Sequence, residues 1–318
     1  MKIFVTGASG LVGKSLIKLL VKENHEVLGL VRNDQDAEDL KTLKVTPIQG
    51  DLRTIEEYNE ILKDVDVVVH SGALVRFVGK FDDFFQINVK GTEKLLNSSI
   101  EAGVKKFIYI SAAAVAFDGN PLLDITEDYQ PQNRIKSNYL TSKVLAEKEL
   151  LKRKEKIQII ILRPPVIWGP GMRIMEEFRS TIEKIGFPTI GDPDHHLATC
   201  HIDNLNAAII KSIMNDHVHG IYHVSDQEKV KARIFMRDLI KGYGMKMGNM
   251  RLPKNMAMIM GGMMEFIWST FNVKGNPPIS TIIVHIMGTE FTINDSKARE
   301  ELGYQDIISV AEGLQSLV

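Results

Sequence analysis

The stretch Met1-Lys-Ile-Phe-Val-Thr-Gly-Ala-Ser-Gly-Leu-Val-Gly13 decides how the rest of the chain is read. Ile3, Phe4 and Val5 form an apolar run of strand length, and Gly7, Gly10 and Gly13 follow three apart. Leu11, Ile17, Leu19, Leu20 and Val21 then recur as the buried positions of a helix. Strand, glycine turn and helix in that order make a dinucleotide cradle. Gly7 permits a tight turn, Gly10 lets backbone N–H groups approach a pyrophosphate, and Gly13 lets helix and strand pack closely. The phosphates then rest on the helix N-terminus, against the backbone of Ser9, Leu11 and Val12, where unpaired N–H groups and the helix dipole favour an anion.

A chain of 318 residues with 44% hydrophobic and 25% charged residues can bury a large core. The formal net charge of -1, with no long block of one sign, gives no electrostatic footprint for nucleic acid, and a small-molecule partner is expected. The single cysteine, Cys200, excludes an internal disulfide framework and suits a reducing compartment. A first strand starting at residue 2 leaves no room for a cleaved leader, and no run of about 18 apolar residues follows. The expectation is a cytoplasmic protein without a transmembrane helix, peripheral contact with a membrane being left open.

Outward from the glycine turn, 25–31 reads as a second strand, 45–50 as a third, 65–69 as a fourth, 105–110 as a fifth and 157–161 as a sixth. The end of the second strand is where such a fold separates a ribose 2′-OH from a 2′-phosphate. No acid stands there; Val31 is followed by Arg32, whose guanidinium can fork onto a phosphate, so NADP is favoured over NAD. At Gly50-Asp51-Leu52 a carboxylate could face the adenine or cap a helix beginning near Thr54. His70-Ser71-Gly72-Ala73 ends the fourth strand at the cofactor crevice, with His70 read as structural. Asn88 lies on a largely apolar helix and needs a partner if buried.

Tyr139 and Lys143 are four apart on the following helix and share one face, so an ammonium can sit beside the phenol and favour its ionised form. A free phenol, with a pKa of about 10, is a poor base at neutral pH. Lowering that value would make Tyr139 a usable general acid/base, with Lys143 also holding the nicotinamide ribose. Such a spacing by itself is common on solvated helix faces.

Thr6-Gly7 with Gly10 and Gly13, Gly50-Asp51-Leu52, Asn88, Tyr139 with Lys143, and Leu162-Arg-Pro-Pro165 through Gly169-Pro170 resemble the extended short-chain dehydrogenase/reductase superfamily, over nearly the whole chain. The 111–116 loop, the Gly169-Pro-Gly171 turn, His201-Ile-Asp-Asn204 and the 296–304 tail look most like its 3β-hydroxysteroid and sterol dehydrogenase branch. The resemblance implies a Rossmann-type, doubly wound parallel sheet over 1–165 and a smaller, mainly substrate-binding domain over 166–318, with segments returning to the core. It further implies hydride transfer at a carbinol or carbonyl carbon, backbone from Pro164 to Val166 against the nicotinamide, and a homodimer. His201-Ile-Asp203 would begin a helix that Asp203 caps.

The sequence departs from that pattern where the superfamily has a Ser or Thr that bonds the substrate oxygen. Counting back from Val115 puts that position at Ala112, with Ser111 one residue earlier and on the opposite side of an extended strand. Either the loop is shifted so that Ser111 substitutes, or another donor such as Thr141, Ser142 or a water does so, or catalysis is weak, in that order. His195 and His196 read as a solvated loop and not as a metal site. Eight methionines between Met245 and Met264, beside Phe266, Ile267 and Trp268, read as a buried helix of the substrate domain, or as a lid or membrane-resting patch. With Phe77 and Trp168 they point to a lipid-like substrate. The leading reading is an NADP-dependent oxidoreductase acting between secondary alcohol and ketone on a hydrophobic substrate. A nucleotide-sugar epimerase or dehydratase using Arg173, Arg179 and Arg233 is the rival, and an NADP-binding scaffold the third reading.

Overall fold

Buried apolar strands lie side by side through the middle of the protein, a computed structural model that describes residues 1–131 and 135–317. Seven of them form one sheet in the order Gly220–His223, Gln158–Arg163, Lys106–Ile110, Val67–His70, Lys2–Thr6, Glu26–Val31, Thr46–Gln49. Every pairing in it is parallel. Parallel strands need crossovers, and the crossover helices cover both faces, which is why the strands read as unbroken apolar runs. Alternation then decides the layers: Ile3 and Val5 face helices Leu11–Lys22 and Ile202–Met214, while Phe4 faces the other way, toward Leu95, Leu96, Ala146 and Leu150.

After the first strand the chain builds outward through the second and third, then returns to the other side of the first. The order therefore reverses between Lys2–Thr6 and Val67–His70, whose last residues, Thr6 and His70, are paired. A crevice opens beyond strand ends at such a switch point, and here it is bounded by the turn at Gly7 and the loop at 71–74.

A second, four-stranded sheet runs Val230–Lys231, His196–Leu197, Phe291–Ile293, Leu122–Ile125, so a segment from the first half of the chain pairs into the second. Its neighbouring core gathers Trp168, Met175, Ile182, Phe235, Leu239 and Ile240.

Several expectations need correction. Gly220–His223 adds a seventh strand that the sequence did not reveal, because four residues with glycine and histidine at the ends carry no periodicity. Leu52–Glu57 is a short 3-10 segment in place of a helix from Thr54, and Asp51 caps it by accepting from the Arg53 N–H. His201, not Asp203, caps Ile202–Met214 through its ring. Beyond the 296–304 tail a further helix, Val310–Gln315, follows, and its Ser309/Glu312 capping box is a signal present in the sequence. The methionine-rich helix, Lys254–Thr270, is not core, since only Ala257 and Gly261 of it are buried.

Candidate active site

The glycine turn is built by close approach. Gly7 has φ +68°, and a Cβ there would lie 2.8 Å from the Gly72 nitrogen, so the two crevice loops touch only because neither carries a side chain. A Cβ on Gly13 would meet the Gly7 carbonyl oxygen at 2.2 Å. Gly10 precedes helix Leu11–Lys22 in extended conformation, with no side chain capping the helix and no acid in its first turn. The first N–H groups of that helix have no intrahelical partner. An uncapped N-terminus at a switch point fits a dinucleotide pyrophosphate. Ser71 donates its hydroxyl to Thr6 O at 2.7 Å, and Gly72 N–H donates to Thr6 Oγ1 at 3.1 Å, fixing the opposite wall.

Beneath that wall His70 is buried between two threonines. Thr92 donates to Asn88 O at 2.6 Å, so His70 Nε2 donates to Thr92 Oγ1 at 2.8 Å and His70 Nδ1 accepts from the Thr6 hydroxyl at 2.6 Å. Burial, with the Lys143 charge nearby, pushes the imidazole down to about 3, so it stays neutral and serves as a brace. Asn88 is satisfied on three sides: it accepts from Leu74 N–H at 2.7 Å and donates to Leu74 O at 3.0 Å and Ser142 Oγ at 2.9 Å. It ties the crevice loop to the helix carrying Tyr139.

That helix, Asn138–Leu151, is capped by Ser137, which accepts from Leu140 N–H. Lys143 is buried, donates to Ile110 O at 2.7 Å and lies 4.5 Å from the centroid of the Tyr109 ring. Burial pushes its ammonium down to about 7, against the pull of Glu147. Tyr139 has no hydrogen-bond partner for its hydroxyl among the described residues, and burial pushes the phenol up to about 12. The expected lowering by the neighbouring ammonium is thus reversed. Lys143 is turned to the strand end, and the protein packed around the half-exposed phenol disfavours its anion.

The candidate replacements for a hydroxyl at Ala112 are placed as follows. Ser111 is buried and donates to Glu147 Oε1 at 2.5 Å. Glu147 in turn accepts from Arg163 Nε at 3.0 Å and from its NH2 at 2.6 Å. Thr141 is exposed, while Ser142 is buried and bonded to Tyr139 O and Asn88. The sequence reading missed the Ser111–Glu147–Arg163 cluster, although Glu147 continues the Tyr139, Lys143 spacing by one more turn. Pro164 accepts from Ala113 N–H at 2.8 Å, joining this loop to the backbone that leads to Val166.

Just past the end of the second strand Arg32 is exposed and has no partner among the described residues. Asp51 is held by Arg53, Nε to Oδ1 at 2.8 Å and NH2 to Oδ2 at 3.1 Å. That ion pair, with Arg32 adding its field, keeps the carboxyl below its ordinary range. Leu52 beside it is buried. From the other half of the chain Arg173 donates to Ser9 O at 3.0 Å, placing a guanidinium over the glycine turn. Arg179 is occupied by Glu176 and Glu183. Trp168, expected near substrate, is fully buried and donates to Asp226 at 2.8 Å, so it is core. His195 and His196 are bonded separately, to Asp192 O and Glu290.

The model of the 3-beta hydroxysteroid dehydrogenase/isomerase family matches residues 4–254. The chain belongs to that family. It is an NAD(P)-dependent oxidoreductase of the extended short-chain dehydrogenase/reductase superfamily. Among similar family relatives is a 4-hydroxy-2-methyl-3-oxo-4-farnesyl-3,4-dihydroquinoline-1-oxide ketoreductase of Stigmatella aurantiaca, 28% identical over 100% of this chain and 96% of that protein. A decarboxylating sterol-4-alpha-carboxylate 3-dehydrogenase of Dictyostelium discoideum is 29% identical over 99% of each. The fold matches solved structures such as the UDP-glucuronic acid 4-epimerase of Bacillus cereus in complex with NAD, with TM-score 0.75 and 21% identity over 99% of this chain and 96% of that one.

Proposed function

We propose that this family member uses NADPH to reduce a ketone on a bulky apolar substrate, with Tyr139 as the proton donor. The observation that carries the reading is a phenol held neutral, its hydroxyl without a partner among the described residues, one helical turn from a buried lysine at the C-terminal edge of the sheet. A phenol that stays protonated at neutral pH suits donation to a carbonyl oxygen better than abstraction from an alcohol. When bound, the cofactor supplies the hydride. Tyr139 gives its proton to the oxygen as negative charge develops there and, being half-exposed, regains it from solvent, while Lys143 stays at the strand end, bonded to Ile110 O. The glycine turn and Arg173 hold the pyrophosphate, Arg32 meets the 2′-phosphate, and residues 71–73 and 164–166 line the nicotinamide end. Ser111 is assigned to positioning: its hydroxyl, given to Glu147, fixes the loop that bears Ala112. The names of the two relatives, a farnesyl-bearing ketone in one and a sterol in the other, support an apolar substrate. A reductase drawing on a reduced nicotinamide pool fits the cytoplasm, as does the lone buried thiol Cys200.

The epimerase reading loses one of its cations, because Arg179 is tied to Glu176 and Glu183. Following absorbance of NADPH with apolar β-keto compounds and with UDP-sugars tests the choice. Stoichiometric consumption with the ketone is expected; product formed from a UDP-sugar without net consumption would overturn the proposal. In the same assay Arg32→Ala should weaken NADPH about ten- to a hundredfold, the range of a lost charge-assisted hydrogen bond, and leave NADH unaffected.

A further inference from the structure

Helix Lys254–Thr270 packs Met258 and Met260, half-buried, against the cluster of Ile190, Leu252 and Val284, and turns its remaining face outward. The inner face is small at Gly261: a Cβ there would lie 3.0 Å from the Ser280 backbone, so this helix rests at short range on the segment that starts helix Thr281–Met287. Glu265 secures the contact, accepting from Thr281 N–H at 2.7 Å and its hydroxyl at 2.8 Å. On the other side Met256, Ile259, Met263, Phe266 and Ile267 are exposed, and their spacing puts them on one face. Phe271 and Val273 extend the patch past the helix end; Ile259 is 65%, Phe266 68% and Phe271 73% exposed.

Charge decides what covers this face. Within 246–274 the cations are Lys246, Arg251, Lys254 and Lys274, and the one acid is Glu265, already committed to Thr281. Lys246, Arg251 and Lys274 are exposed and pair with no carboxylate among the described residues. An apolar, charge-free face with a cationic rim complements an anionic lipid surface. Two copies set face to face would press the same cationic rim against itself.

The helix and the chain beyond it are also bonded to segments that lead from the crevice loops. Near its start Lys254 donates to Gly119 O at 3.3 Å, on the chain that follows the Ala112 loop. Beyond its end Asn276 accepts from Phe77 N–H at 2.9 Å, on the chain that follows residues 71–73, and Asn138, next to Tyr139, donates to Gly79 O at 2.9 Å. We infer that the outer face of Lys254–Thr270 docks in the headgroup region of an anionic bilayer, bringing the crevice mouth to the acyl boundary. Its use for loading an apolar ketone rests on the reductase reading; docking itself does not.

Flotation of the full chain with vesicles of three parts phosphatidylcholine to one part phosphatidylglycerol tests it, without turnover. Binding is expected there and not on pure phosphatidylcholine. The Ile259→Ser/Phe266→Ser/Phe271→Ser variant should lose about tenfold in partitioning for each side chain removed. Lys246→Glu/Arg251→Glu/Lys274→Glu should abolish the preference for anionic lipid. Both variants alter exposed positions, so unchanged NADPH affinity and melting temperature report an intact fold. No binding to the anionic vesicles, undiminished binding of the serine variant, or a parent dimer that this variant converts to monomer would each overturn the inference.

Discussion

Ala112 sits in extended backbone, φ -151°, half-buried at the end of the fifth strand, and a serine fits there without strain. Ala112→Ser returns a hydroxyl to the position from which the superfamily's pattern bonds the substrate oxygen. One added donor to developing charge is worth roughly 1.5–3 kcal/mol, so kcat should rise about tenfold or more in steady-state assay. Ser111→Ala should act differently: kcat nearly constant, with roughly 1 kcal/mol of stability lost in urea titration as Glu147 loses a donor. A large fall in kcat there would restore Ser111 as an oxygen-binding residue. Lys143 gives a pH signature. Its folded pKa of about 7 lies below an unfolded value of about 10.4, so between these the unfolded chain binds a proton the folded one does not. Stability therefore rises with pH across that window, the cost of burying the ammonium being full below it and relieved above it. The urea midpoint of the parent should rise relative to that of Lys143→Met from pH 7 to 10; no relative change would show an ammonium that is not penalised by burial. Tyr139 and Lys143 could be picked out from a spacing of four because both lie on one helix. The engagement of Ser111 by Glu147 and Arg163 could not, because it joins three elements distant in sequence.

The first three elements were readable because local chemistry and tertiary demand coincide in them. Apolar residues at 3–5 alternate between the two faces of the sheet, and Gly7 and Gly13 are each required by an atom that a Cβ would strike, while a Cβ on Gly10 would only crowd the Gly7 oxygen at 3.1 Å. Gly13→Ala tests that claim on the helix. With the Gly7 oxygen 2.2 Å from the new methyl, Leu11–Lys22 must move off its strand, at a cost of about 1–3 kcal/mol. Denaturant midpoint and NADPH affinity should fall together. Loss of affinity at unchanged stability would mean that Gly13 serves the ligand and not the packing. The methionine-rich helix shows the opposite case. Composition marked it as unusual, but composition cannot say which side of a helix faces the protein, and the small Ala257 and Gly261 turned out to be the inward positions.

Taken whole, the chain places the glycine turn, a braced neutral histidine and a phenol without a partner among the described residues around one sheet edge, with Arg173 reaching across from the second half to the glycine turn. The sheet edge was foreseen from the order of strands. That segments return to the core was expected from the resemblance, but not which ones: Gly220–His223 joins the large sheet and Leu122–Ile125 the small one, pairings that no local pattern encodes. Ligand that binds only the folded state should stabilise it by about 2.7 kcal/mol at a hundredfold excess over Kd. NADPH affinity of any variant can thus be read by melting, separately from chemistry. The decisive comparison is Tyr139→Phe against the parent, with NADPH consumption followed on an apolar ketone and NADPH affinity taken from melting. The account predicts unchanged affinity and a fall in kcat of about a hundred- to ten-thousandfold, the range for loss of a positioned general acid. Turnover that survives the loss of the phenol would contradict it.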